Sequence, residues 1–223
     1  MTKELKKRIL TSLLLFIVMI PSIFFNQIIF ITILLFICFI SYFEWSNINK
    51  KYFSKNPKKY LLIKFFGVLY LSLVFISSIF IRGSSYESII FFITVIFICI
   101  FSDIGGYTFG KTFGGKKLTK LSPKKTISGS IGSFLLSITP LIFFNSQDYI
   151  DFYLDFSFIN ILLCLIISLF CQAGDLFISF FKRLNKVKNS GKILPGHGGV
   201  LDRIDGLIFV LPMVFILKLL QIY

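Results

Sequence analysis

The chain alternates long apolar runs with short, strongly basic segments. The apolar runs lie at about 9–25, 27–43, 60–81, 88–102, 129–144, 157–174 and 204–221. Several are shorter than the roughly 20 residues that a perpendicular helix needs to cross a bilayer, 88–102 most of all. The pattern predicts an all-α fold: a polytopic integral membrane helical bundle of about seven transmembrane helices. Asn26 is expected to make a tight turn between the first two spans, with Pro21 kinking the end of the first. No stretch is long and polar enough for a soluble domain. Residues 1–223 are therefore expected to form a single membrane domain, with N-terminal helices over 1–102 and a motif-bearing half over 103–223.

The basic segments predict the sidedness. Lys3, Lys6, Lys7 and Arg8 precede the first run, and Lys50, Lys51, Lys55, Lys58, Lys59 and Lys64 follow the second. Further groups fall in 103–128 and 175–203, so that of the 24 basic residues only Arg82 and Lys218 fall on the other side. The segment 145–156 holds Asp148, Asp151 and Asp155 with no lysine or arginine. By the positive-inside rule the N-terminus and both motif-rich segments are expected in the cytoplasm.

Composition agrees with this picture. The 223 residues are 56% hydrophobic with 30 Phe, and the mean hydropathy is +0.86. A soluble domain of this size could not bury so much apolar surface. The net charge of +14 would suggest nucleic acid for a soluble protein. Here the cations cluster between apolar runs, so no nucleic-acid partner is expected, and membrane lipids and a polyanionic substrate share the charge. Cys38, Cys99, Cys164 and Cys171 all lie in apolar runs without a CxxC pair, and read as small buried hydrophobes. The basic N-terminus ahead of an apolar run resembles a signal sequence, but no A-x-A site follows, so an uncleaved first span is expected.

Residues 105–112, GGYTFGKT, match the P-loop pattern letter for letter. That pattern works where a buried strand delivers a glycine-rich loop to a helix N-terminus. A membrane span precedes it here, so a flexible basic loop with small residues for helix packing is expected instead.

Chemistry concentrates in 175–205. If the sixth span continues as a helix, Asp175, Ser179, Lys182 and Lys186 fall on one face within about 60°. Arg183 and Lys188 add charge. Pro195, Gly196, Gly198 and Gly199 make a tight turn around His197, which reads either as a structural hydrogen-bonding residue or as a catalyst. Asp202 and Asp205 then share a helix face with Arg203 between them. Acids there suit a helix N-terminus, and they also make a ready metal and phosphate site. Upstream, Asp103 and LSPKKT add Lys124, Lys125 and a capping Thr126. Carboxylates and cations with few general bases suit phosphoryl or nucleotidyl transfer, which needs metal, cations and in-line positioning.

SFFKRLNKVKNSGKILPGHGGVLDRID, at 179–205, resembles the signature S-x-x-K-R-x4-K-D-…-P-x-H-G-G-x-x-D-R-x-D of the phosphatidate cytidylyltransferase (CDP-diacylglycerol synthase) family. GDLF at 174–177 and DIGGYTFGKTFGGKKLTKLSPKKT at 103–126 extend the resemblance over the C-terminal half; Glu44-Trp45 is a weak echo further upstream. Asn189, Ile178 and Ser128 stand where the family carries acids. The resemblance implies that CTP and phosphatidic acid give CDP-diacylglycerol and pyrophosphate with Mg2+ at the cytoplasmic membrane face, and the Ile-, Phe-, Lys- and Asn-rich composition suggests that the membrane is a bacterial inner membrane. It implies Asp175 and Asp202 as metal-binding carboxylates, with Lys182, Arg183 and Asp205 also catalytic. Ser179, Lys124, Lys125, Thr126, Lys188, His197, Arg203 and Asp103 would bind substrate. Whether a monovalent cation joins Mg2+, and whether two copies pair as a homodimer, stays open. A CTP-dependent lipid kinase of the polyprenol type would release CDP instead, and a transporter would place its acids near mid-membrane.

Overall fold

The computed structural model describes residues 17–53, 56–119, 122, 125–145, 155–196 and 198–221. These residues are helical apart from turns and two isolated bridges, Lys117 with Thr126 and Leu194 with Gly198. Residues 17–25 form α1. It is followed by α2 (Gln27–Phe53), α3 (Pro57–Arg82), α4 (Tyr86–Phe113), α5 (Ile127–Ser137) and α6 (Thr139–Asn145). Then come α7 (Phe158–Leu184), α8 (Leu201–Ile204) and α9 (Leu207–Leu219). Four of them, α2, α3, α4 and α7, carry apolar spans of 24 to 28 residues. At about 1.5 Å per residue these reach roughly 36–42 Å, enough to cross a hydrocarbon core of roughly 30 Å. The expected spans 129–144 and 204–221 appear as shorter apolar helices, and 9–16 lie outside the described residues.

The chain divides into two compact units, one of 1–79 with 180–205 and one of 80–179 with 206–223. In the first unit α2 is inside-out relative to a soluble helix. Ser41, Glu44, Trp45, Ile48 and Asn49 are buried on one stripe, while Leu35, Phe36, Phe39 and Phe43 are exposed. Contiguous exposed apolar surface of this kind needs lipid around it. The Trp45 indole donates to the Ile63 carbonyl at 3.1 Å and its ring lies 4.7 Å from that of Phe181. Gly67 has no Cβ where the indole passes; any side chain there would collide with it. The expected basic loop over 44–59 is thus corrected: α2 runs through to Phe53, because its buried stripe continues to Asn49 and lysines do not end a helix.

In the second unit α4 packs on α5 through small residues. A Cβ on Gly105 would strike the Gly132 carbonyl, one on Gly129 would lie 2.7 Å from the Gly106 oxygen, and one on Gly106 would lie 2.8 Å from Ser133 Oγ. Backbones approach this closely only where side chains are missing. The helix therefore continues past residue 102, where the span was expected to end, to Phe113. Asp103 and GGYTFGKT are helical, not a flexible loop, which excludes a P-loop and bears out helix packing by small residues. Gly114 and Gly115, at φ 58 and 99, end α4. Pro140 splits the expected span 129–144. It has no N–H for the Leu136 carbonyl four residues back, and Thr139 Oγ1 donates to that carbonyl instead at 2.7 Å. Ser102 and Ser168 share a buried hydroxyl contact of 2.8 Å, and Ser130 donates to Gln172 at 2.6 Å. Cys99, Cys164 and Cys171 are buried and Cys38 is half-buried, all as free thiols.

Candidate active-site clusters

The signature segment is built on the end of α7. Val187 N–H donates to the Lys182 carbonyl and Lys186 N–H to the Arg183 carbonyl, both at 3.0 Å. This pair is a Schellman closure with Lys186 at the left-handed position, φ 55. Lys186 therefore leaves the helix, and the expectation that it shares a face with Asp175, Ser179 and Lys182 is corrected. Further on, Leu194 and Gly198 exchange backbone hydrogen bonds of 2.9 and 3.1 Å. The turn between them needs glycine at 196 and 198, where φ is 80 and 92.

Asp202, in α8, gathers this segment. Its Oδ1 accepts from Lys182 Nζ at 2.8 Å, and its Oδ2 accepts the N–H groups of Ser190 at 2.8 Å and Gly199 at 3.1 Å. The side chains of Lys182 and Asp202 are only 12% and 8% exposed, so little water screens the pair. Burial alone would raise the Asp202 carboxyl; Lys182 and the two backbone donors outweigh it and hold the group below its ordinary 3.8. The sign for stability follows. An unfolded aspartate takes its proton near 3.8, the folded one only at lower pH, so the group strengthens folding above 3.8 and this contribution is lost as pH falls through the folded value. Acid unfolding of Asp202→Asn in detergent, followed by circular dichroism, is expected to be flatter below pH 3.8 than that of the parent chain. Superimposable profiles would contradict the assignment.

Glu44, from α2, grips the same segment from its other side. Its Oε1 accepts Val200 N–H at 3.1 Å and its Oε2 accepts Leu201 N–H at 2.8 Å. Ser190 Oγ also donates to Oε2, at 2.9 Å. The two N–H groups are those that a helix N-terminus leaves unpaired, here at the start of α8. Ser190 is thus held twice, by its N–H on Asp202 and by its hydroxyl on Glu44.

In the second unit, the backbone at 116–118 pairs with that at 125–127. Leu118 N–H donates to the Lys125 carbonyl at 2.8 Å and Ile127 N–H to the Lys116 carbonyl at 3.0 Å. Thr126 Oγ1 caps α5 by accepting Gly129 N–H at 3.1 Å. This seats Lys125 Nζ 2.6 Å from Asp175 Oδ2, while Ser179 Oγ donates to Asp175 Oδ1 at 3.3 Å. The Lys125 and Asp175 side chains are 26% and 31% exposed, a more open pair than Lys182 with Asp202.

The structure therefore brings Lys182 to Asp202, and Lys125 with Ser179 to Asp175. Asp103 is exposed on α4, with Cys171 Sγ 3.9 Å from its Oδ1. Arg183, Lys188 and Arg203 are exposed, and Asp205 caps the C-terminal end of α8. Lys124 and His197 lie outside the described residues. Ile178 is buried, an environment that suits an apolar side chain rather than an unpaired acid. Ser128 donates to the Gly114 carbonyl and so ties α5 to the end of α4. Glu44 was missed as a site residue by sequence reasoning, although its signal was available: it is the one acid between Glu4 and Glu87.

The cytidylyltransferase family matches residues 54–220, further toward the N-terminus than the motifs that carry the resemblance. A phosphatidate cytidylyltransferase of Staphylococcus epidermidis is 36% identical over 176 residues, covering 78% of this chain and 64% of that protein. One from Staphylococcus haemolyticus is 37% identical over the same length and shares. One from Staphylococcus aureus is 49% identical over 118 residues, 52% of this chain and 44% of that protein. The chain thus spans a little under two thirds of the length of the first of these relatives. With most of its length matched, and with both clusters inside the match apart from Glu44, the chain belongs to the cytidylyltransferase family.

Proposed function

We propose that the chain transfers the cytidylyl group of CTP to phosphatidic acid, yielding CDP-diacylglycerol and pyrophosphate. The observation that carries this reading is the signature segment held around Asp202, with Lys182 on one carboxylate oxygen and two loop amides on the other. A phosphatidate phosphate oxygen attacks the α-phosphorus of CTP, a new P–O–P linkage forms, and the bond to the β-phosphate breaks with pyrophosphate leaving. Such a transfer asks the protein for positioning and for cations around the phosphates. Lys125 and Lys182 are suited to hold phosphate oxygens, with the exposed Arg183, Lys188 and Arg203 receiving the remaining charge of a triphosphate and a lipid phosphate. Ser179, Lys124, Thr126, His197 and Asp103 belong to the substrate-binding set, and Asp205 to the catalytic set, on motif position.

Mg2+ fits the residues present. Among the described residues no three acids, thiols or imidazoles converge, but Mg2+ is usually held by one or two carboxylates together with substrate phosphates. Asp175 and Asp202 are each paired with a lysine ammonium, Lys125 at 2.6 Å and Lys182 at 2.8 Å. These two are the proposed holders of Mg2+, which would neutralise phosphate oxygens during transfer.

The same reading puts the reaction at the cytoplasmic face of a bacterial inner membrane. Its support is the distribution of lysine and arginine between the apolar runs. Membranes carrying the chain are expected to convert phosphatidic acid to CDP-diacylglycerol with added CTP and Mg2+, and to stop when Mg2+ is chelated. Asp175→Asn is expected to lose at least about tenfold in rate, as loss of a ligand or close supporting group does. Conversion that ignores chelation, or Asp175→Asn at full rate, would remove the metal from the account.

A further inference from the structure

We infer that Glu44 is a positioning residue of the cytidylyl-transfer site, acting through Ser190 and the start of α8 on Asp202. This rests on the function proposed above and adds a residue outside the signature and outside the family match, which begins at residue 54.

Glu44 is a buried acid, 3% exposed, and the one carboxylate of the membrane-length helix α2. Keeping a carboxylate there is costly unless it is well partnered. Its partners are all donors: the N–H groups of Val200 and Leu201, and the Ser190 hydroxyl. It thereby joins the two ends of the loop that Asp202 also joins, through Ser190 N–H and Gly199 N–H. Two carboxylates from distant parts of the chain fix one loop, and the second carries Lys182 and the proposed metal. Glu44 also accounts for two glycines of the signature segment. A Cβ on Gly191 or on Gly199 would run into the Glu44 carboxylate, and one on Gly199 would also strike Ser190 Oγ. These glycines are needed for close approach to Glu44, since neither has the positive φ of Gly196 and Gly198.

An amide at position 44 keeps the size but offers one acceptor oxygen to three donors and turns an NH2 toward the rest. Glu44→Gln is therefore expected to loosen the loop while leaving the helices in place. Two readouts in the purified full chain test this. Amide hydrogen exchange over 190–202 is expected to accelerate at least about tenfold in Glu44→Gln, as exchange follows local opening. Kinetically, the KM for Mg·CTP is expected to rise about 10- to 100-fold, the range seen when a supporting hydrogen bond to a metal ligand is removed. The KM for phosphatidic acid should stay within about twofold, since Glu44 supports the loop and not the lipid contact. A purely structural role would lower the active fraction and move neither KM. Ser190→Ala removes one of the three bonds and is expected to give a smaller change in the same direction. It also serves where Glu44→Gln fails to fold. If the parent chain turns over CTP and phosphatidic acid but both variants show parental exchange and parental KM for Mg·CTP, the inference is overturned. If the parent chain has no such activity, the proposed function fails, and the exchange arm alone decides whether Glu44 holds the loop.

Discussion

Asp202→Ala is expected to abolish cytidylyl transfer and to weaken the fold at once. The side chain is buried, carries Lys182 on one oxygen and two backbone donors on the other, and lies in the family signature. Its removal leaves a buried ammonium and two N–H groups unpaired. Breaking one partner of a buried ion pair costs about 3–5 kcal/mol. Loss of a preorganised electrostatic group from a transferring site costs about 10²–10³ in turnover. Asp202→Asn separates the two effects. The amide oxygen still accepts from one loop donor, so thermal unfolding in detergent should move less than for alanine, while turnover at saturating substrates should fall comparably. A variant that unfolds like the parent chain and turns over normally would show that Asp202 neither clips the loop nor serves the reaction.

The second large effect belongs to the helix pair α4 and α5. Gly105→Leu would drive a branched side chain into the Gly132 carbonyl, and Gly132→Leu would collide with Phe109. Overpacking of a close interface costs about 1–3 kcal/mol and more where backbone must separate. The consequence reaches the second cluster, because Thr126 caps α5 and its neighbour Lys125 is seated on Asp175. Both variants are expected to lower the unfolding temperature by several degrees and to reduce activity with it. Gly114→Ala is the comparison: it has φ 58 but nothing within 4 Å of the added Cβ, so only the left-handed strain of about 1–2 kcal/mol applies. Equal losses at 105 and 114 would contradict close packing of the two helices.

The apolar runs and the signature were legible because each is local. Span positions follow from hydropathy, and Lys182 and Asp202 stand out as site residues within one segment, although their pairing with each other is seen only in the structure. Helix ends were less legible. The charge and glycines after Asp103 point to a loop, yet those glycines face α5 and the helix runs on. Lys186 fits the periodicity of α7, but the helix closes at Leu184 and the lysine takes a left-handed turn position. Glu44 was the least legible of all. Its partners are 146 to 157 residues away and two of them are backbone amides, which leave no side-chain pattern to read. The signal that remained was energetic: a lone acid in an apolar helix must have a reason to stay charged or to be partnered.

The central claim is that the α-phosphoryl group of CTP goes to the lipid. Purified chain in mixed micelles, given phosphatidic acid, Mg2+ and CTP labelled in separate reactions at the α- and γ-phosphates, tests it most directly. The account predicts that α-label enters the lipid fraction and γ-label is recovered in pyrophosphate, with both lost in Asp202→Asn. Label from the γ-phosphate in the lipid would mean a kinase, and no lipid label from either would mean that the chain does not catalyse this transfer.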